Sequence, residues 1–121
     1  LRQLKLKYPR IDILIDDGGH TMEQQITTFE EMFCHISMNG VYLCEDLHTS
    51  YWKEYGGGYK CPDSYIEYSK NFIDYLHAWF SCDPALQENR YSRSIHSLHY
   101  YDSMLVIEKG RMGPAVDLML G

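Results

Sequence analysis

Two short apolar runs end in acids, and a helical stripe separates them. Ile11, Ile13, Leu14 and Ile15 form the first run. Its near-continuous apolar character fits a parallel strand, Ile11 to Ile15, covered on both faces. The run ends at Asp16-Asp17, and Gly18-Gly19 then turn the chain. Thr21 is placed to cap a helix from Met22 to Ile36, in which Ile26, Phe29, Met32, Phe33 and Ile36 share one stripe. Asn39-Gly40 reads as the stop of that region. Val41 to Cys44 reads as a second buried strand, running into Glu45-Asp46. Strand, helix, strand in this order makes a crossover unit whose parallel strands end on the same side of the sheet.

The flanks complete a mixed α/β pattern. Leu1 to Tyr8 reads as the tail of a helix broken by Pro9. His48 to Tyr65 is a long loop with Gly56-Gly57-Gly58 at its middle, a mobile or closely packed segment. Ser64 is placed to cap a helix from Tyr65 towards Phe80, carrying Ile66, Phe72, Ile73, Leu76 and Trp79. A loop follows through Pro84 to Asn89. Ser94 to Tyr100 and Ser103 to Glu108 then alternate as two strands joined by a turn at Tyr101-Asp102, an antiparallel hairpin. The tail from Gly110 to Gly121 is weakly patterned, and no internal repeat is visible. The expected sheet is parallel at first and closes with the hairpin. Asp17-Gly18-Gly19-His20 lacks the spacing of a dinucleotide loop.

Composition narrows the function classes. The 121 residues suffice for one modest domain with a core. A formal net charge of -6 disfavours a general nucleic-acid binder, because phosphate contacts need clustered cations. No apolar run approaches the roughly 20 residues that cross a bilayer, so no membrane partner is expected. No signal peptide is visible; the chain starts at Leu1 rather than Met, so a leader lost with the true N-terminus stays open. Cys34, Cys44, Cys61 and Cys82 form no CxxC pair and read as reduced thiols in a cytoplasmic protein. Cys34 in its helix and Cys44 in its strand are expected to pack as small hydrophobes. Tyrosine is abundant, 11 residues, many of them between Tyr42 and Tyr75, which points to an amphipathic pocket or an interface.

The acids carry the chemistry. In open α/β sheets ligands gather beyond the carboxyl ends of the strands. Asp17, Glu45 and Asp46 should therefore converge there, with His20 beside them. Three oxygen ligands suit Mg²⁺, Mn²⁺ or Ca²⁺ better than zinc. Plainer readings exist for each residue. Asp16 and Asp17 are also placed to favour a helix N-terminus, Glu45-Asp46 to be solvated acids, and His20 to be a turn residue. The joint occurrence of both acid pairs favours the site. His48 is either a contact near the acids or an ordinary loop histidine. Tyr51, Trp52, Tyr55 and Tyr59 flank the glycine run as a substrate lid, or as a loop packed on its own rings. His96 and His99, on alternate faces of a strand, read as structural. Lys5, Lys7 and Arg10 read as a solvated edge.

Three segments, IDILIDDGGHTMEQQITTFEEMF, NGVYLCEDLHTSYW and SIHSLHYYDSMLVIEKG, resemble the C-terminal half of class I S-adenosylmethionine-dependent methyltransferases. More narrowly they resemble the metal-dependent macrolide sugar O-methyltransferases of the macrocin and mycinamicin type, with the cephalosporin-hydroxylase-like group close by. The resemblance implies a Rossmann-like sheet of which this chain supplies the last four strands, Ile11 to Ile15 being the fourth, Val41 to Cys44 the fifth and the hairpin the sixth and seventh. Residues 1–121 would be the C-terminal part of a single domain whose cofactor-binding half is absent. It implies S-adenosylmethionine and Mg²⁺ as cofactors, Asp17, Glu45 and Asp46 as metal ligands, His20 as general base and Asp16 near the cofactor. His48, Tyr51, Trp52, Tyr55 and Tyr59 become candidate contacts for a small-molecule substrate such as a sugar, and a homo-oligomer is expected. Gly19 stands where similar sequences often have Ser. Two alternatives stay open: a hydroxylase or hydrolase using the same acids, and a non-catalytic fragment or interaction module.

Overall fold

The computed structural model describes residues 1–120. Helix α1 (Arg2–Lys7) leads into strand β1 (Ile11–Asp16), helix α2 (Met22–Met32) and strand β2 (Ile36–Cys44). Helix α3 (Tyr65–His77) and the strands β3 (Ile95–Tyr101) and β4 (Met104–Lys109) follow. The sheet order is β1-β2-β4-β3. The β1–β2 pair is parallel, whereas β2–β4 and β3–β4 are antiparallel. This is the mixed α/β sheet expected from the pattern. No helix is long and apolar enough to cross a membrane among the described residues.

Local chemistry explains the element ends. Thr21 and Gln24 form a reciprocal capping box at the start of α2, which satisfies backbone N–H groups that the helix itself leaves free. The Ser64 hydroxyl accepts from the Glu67 amide and starts α3. The α2 helix stops at Met32, short of the expected Ile36, and a 3₁₀ turn spans Phe33–His35. The ammonium of Lys109 donates to the Phe33 and Ile36 carbonyls at 2.7 and 2.6 Å. It thereby gathers the free carbonyls of the helix end and turns the chain into β2. Similarly, α3 ends at His77, and Ala78–Phe80 is a 3₁₀ turn.

Four further expectations are corrected. Asn39-Gly40 lies inside β2 and does not precede it. Cys34 is exposed and packs against no core. The hairpin turn falls one residue later, at Asp102-Ser103, with Ser103 in the left-handed region. A register shift between Ile95 and Ser97 breaks the alternation of β3, so His96 and His99 both approach Glu108, at 4.0 and 3.6 Å.

The core lies between the sheet and the pair α2–α3. Phe29, Phe33, Tyr42, Tyr65, Phe72, Ile95, Leu105 and Ile107 are fully buried there. Phe29 meets Phe72 at 4.6 Å and Tyr42 edge-on at 5.3 Å between ring centroids, geometries that aromatic quadrupoles favour. Strand β1 was expected to be covered on both faces. Instead Ile13 and Ile15 remain 67% and 59% exposed, while Ile11 and Leu14 pack against the core.

Candidate metal and acceptor site

Strands β1 and β2 are adjacent and parallel, with Asp16 opposite Cys44. The residues that follow each strand therefore leave the sheet side by side. The Glu45 amide continues the pairing by donating to the Asp16 carbonyl at 3.1 Å. From α2, the buried Gln25 donates through Nε2 to the Glu45 carbonyl at 3.2 Å. The two acid-bearing turns are thus fixed to the sheet and to the helix between them.

Asp17, His20 and Asp46 come together at this edge, each offering one ligand atom within 4.8 Å of the others. His20 Nε2 stands 3.4 Å from an Asp46 carboxylate oxygen. The two carboxylates at this spacing fit a divalent cation that prefers oxygen donors, with the imidazole beside them. The expected trio differs in one member: the Glu45 carboxylate does not converge with those of Asp17 and Asp46, and His20 stands in the cluster. Glu45 and Asp46 are consecutive residues leaving a strand, so their side chains start out in different directions.

Asp46 adopts φ 56, ψ 39, a left-handed conformation uncommon outside glycine. The hairpin tip braces it. The Leu47 amide donates to the Ser103 carbonyl at 3.1 Å, and His48 Nδ1 lies 2.6 Å from the Ser103 hydroxyl. Ser103 is itself left-handed. Pattern reading missed Ser103; no signal in a turn serine announces a contact across the sheet.

Asp16 lies behind this cluster. It is 7% exposed, and the Tyr42 hydroxyl donates to its carboxylate at 2.8 Å. Burial pushes its carboxyl above the usual range, while bonds from Tyr42 and the Gly18 backbone oppose that rise. It also borders a cleft of about 480 Å³ with Leu14, Ile15, Asp17 and Gly18.

The aromatic residues divide. His48 meets the Trp52 ring at 4.7 Å, and Trp52 meets Tyr55 at 5.8 Å. Tyr55 in turn borders a cleft of about 650 Å³ with Thr21, Met22, Ile26 and Tyr68. A chain of rings therefore leads from the neighbourhood of Asp46 to that cleft. Tyr51 and Tyr59 point to solvent, 51% and 79% exposed. The glycine run is closely packed at its centre: a side chain on Gly57 would collide with the Ser50 carbonyl oxygen.

No protein-family model matches the chain. Individual relatives do. Mycinamicin VI 2''-O-methyltransferase of Micromonospora griseorubida is 33% identical over 115 residues, 92% of this chain and 29% of the relative. L-olivosyl-oleandolide 3-O-methyltransferase of Streptomyces antibioticus is 35% identical over 85% of this chain and 28% of its own length. Demethylmacrocin O-methyltransferase of Streptomyces fradiae is 34% identical over 91% of this chain and 29% of its own length. Among solved structures, the MycE methyltransferase of the mycinamycin biosynthetic pathway, in complex with Mg and SAH, superposes with a TM-score of 0.79 at 33% identity, covering 90% of this chain and 29% of that one. Its complex with Mg, SAH and mycinamycin VI gives a TM-score of 0.77 at 32% identity. In sequence and in fold the chain is a relative of the macrolide sugar O-methyltransferases over the stretch it matches, which is less than a third of their length.

Proposed function

We propose that this chain is the C-terminal part of an S-adenosylmethionine- and Mg²⁺-dependent O-methyltransferase, acting in the cytoplasm on a hydroxyl of a sugar or other small molecule. The cofactor-binding half of the domain would lie outside these 121 residues. The observation that carries the reading is the meeting of Asp17, His20 and Asp46 at the carboxyl edge of two parallel strands, in a chain related to enzymes of that activity.

The chemistry needs little from the protein beyond placement and proton removal. A methyl group on a sulfonium is already activated, so the acceptor oxygen must be aligned with it and lose its proton. Asp17 and Asp46 would hold the cation, and Glu45 would have to turn in as the third carboxylate; when bound, the cation would lower the pKa of the acceptor hydroxyls. His20 takes the proton as general base, and Asp46, 3.4 Å from its Nε2, stabilises the imidazolium that results. Asp16 lies towards the cofactor. His48, Trp52 and Tyr55 line the route along which the bulk of the acceptor rests, with Tyr51 and Tyr59 contributing from the rim.

The test is transfer of a labelled methyl group from S-adenosylmethionine to sugar-bearing acceptors by the full protein. Transfer should vanish on chelation and return with Mg²⁺. His20→Ala should lower the chemical step by about 10²–10⁴-fold while leaving Mn²⁺ affinity nearly unchanged. Near-normal turnover by that variant would remove His20 from the role of base.

A further inference from the structure

The candidate ligands sit on two separate turns, and something must set the spacing between them. Thr49 follows Asp46 in the short 3₁₀ turn Leu47–Tyr51 and is 2% exposed. Its amide donates to the Asp46 carbonyl at 3.1 Å. Its hydroxyl oxygen stands 2.9 Å from the same Asp46 carbonyl and 2.9 Å from the His20 carbonyl. A threonine hydroxyl has one proton to give. The Asp46 carbonyl already accepts the Thr49 amide, so the hydroxyl proton is free for His20. The β-branched side chain holds few rotamers, which suits a fixed bridge.

We propose that Thr49 is a positioning residue, whose buried hydroxyl clasps the His20 turn to the Asp46 turn and so sets the distance between the candidate ligand atoms. The inference rests on the metal reading above and adds to it a residue that touches neither metal nor acceptor. Thr49 acts through the backbone of His20 and the backbone of Asp46. Partners of this kind, one bond behind the ligands, commonly govern metal affinity because they fix ligand orientation.

Mn²⁺ binding to the full chain, followed by the resonance signal of free Mn²⁺, tests the clasp, with urea midpoints measured alongside. Thr49→Val keeps the shape and loses the hydroxyl; it should weaken Mn²⁺ binding about 10- to 100-fold, while Thr49→Ser, which keeps the hydroxyl, should stay within about threefold of the unaltered chain. A threonine that served packing alone would lower the urea midpoint in both variants and leave Mn²⁺ affinity unmoved. The clasp is overturned if Thr49→Val binds Mn²⁺ as tightly as the unaltered chain, or if Thr49→Ser loses as much affinity as Thr49→Val. Should Thr49→Val not fold, Thr49→Ser decides alone: retained affinity supports the clasp and a loss beyond about tenfold overturns it. An unaltered chain that takes up no Mn²⁺ overturns the metal reading itself, and the clasp with it.

Discussion

Lys109 shows how one side chain can decide where an element ends. Lys109 is 7% exposed; its ammonium is bonded to the Phe33 and Ile36 carbonyls and lies 4.8 Å from the Phe33 ring centroid. Burial pushes its pKa below the ordinary lysine value of 10.5. The unfolded chain therefore holds that proton more tightly than the folded one. Between the folded pKa and 10.5, unfolding takes up a proton, so the lysine's net contribution rises as pH climbs through that window. Lys109→Met leaves two carbonyls without their donor and should cost about 1–3 kcal/mol. Urea titrations of both proteins should show the gap widening from neutral pH towards 10.5. A gap that narrows would mean that Lys109 is not held below its ordinary value. Nothing in the sequence marks this lysine, because its partners are backbone carbonyls more than seventy residues away.

At the scale of elements, what could be read depended on how local the signal was. The apolar run of β1, the stripe and cap of α2, and the alternating hairpin are local patterns, and each appears close to its expected bounds. The acid pairs were legible for the same reason: each closes an apolar run, and parallel pairing carries both to one edge. Asn39-Gly40 misled because a glycine that ends one element and a glycine buried in another look alike in sequence. Gly40 lies where the β1–β2 register shifts, and a Cβ there would meet the Asp12 carbonyl oxygen and Ile36 Cγ2, both at 2.5 Å. It permits a close backbone approach inside the strand. Gly40→Ala should therefore destabilise the fold by about 1–3 kcal/mol, as overpacking does, when measured by denaturant midpoint. A neutral outcome would show that the irregular stretch of β2 yields freely. The Glu45 direction and the Ser103 brace were not legible, since both depend on backbone torsions and on contacts across the sheet.

At the scale of the whole chain, the described sheet ends in two edge strands, β1 and β3. Among the described residues β1 pairs only with β2, and Ile13 and Ile15 stand exposed on it. An unpaired apolar strand invites pairing with another chain. The 121-residue chain by itself should therefore self-associate, and Ile13→Lys should suppress this in sedimentation velocity. A chain that stays monomeric at high concentration would argue against that edge as the contact. The matched enzymes are more than three times as long as this chain. On the proposed reading the remainder covers the β1 edge and brings the cofactor, so the isolated chain should bind S-adenosylmethionine poorly.

The central claim is that the carboxyl edge of β1 and β2 holds a catalytic cation, with His20 beside it as base. Anomalous scattering from Mn²⁺-soaked crystals of the full chain addresses both halves of that claim. The account predicts one peak about 2.1 Å from carboxylate oxygens of Asp17 and Asp46, with Glu45 turned in to complete the set and the His20 imidazole outside ligand distance. A peak ligated by His20 would contradict its role as base, and the absence of any peak at this edge would contradict the metal site.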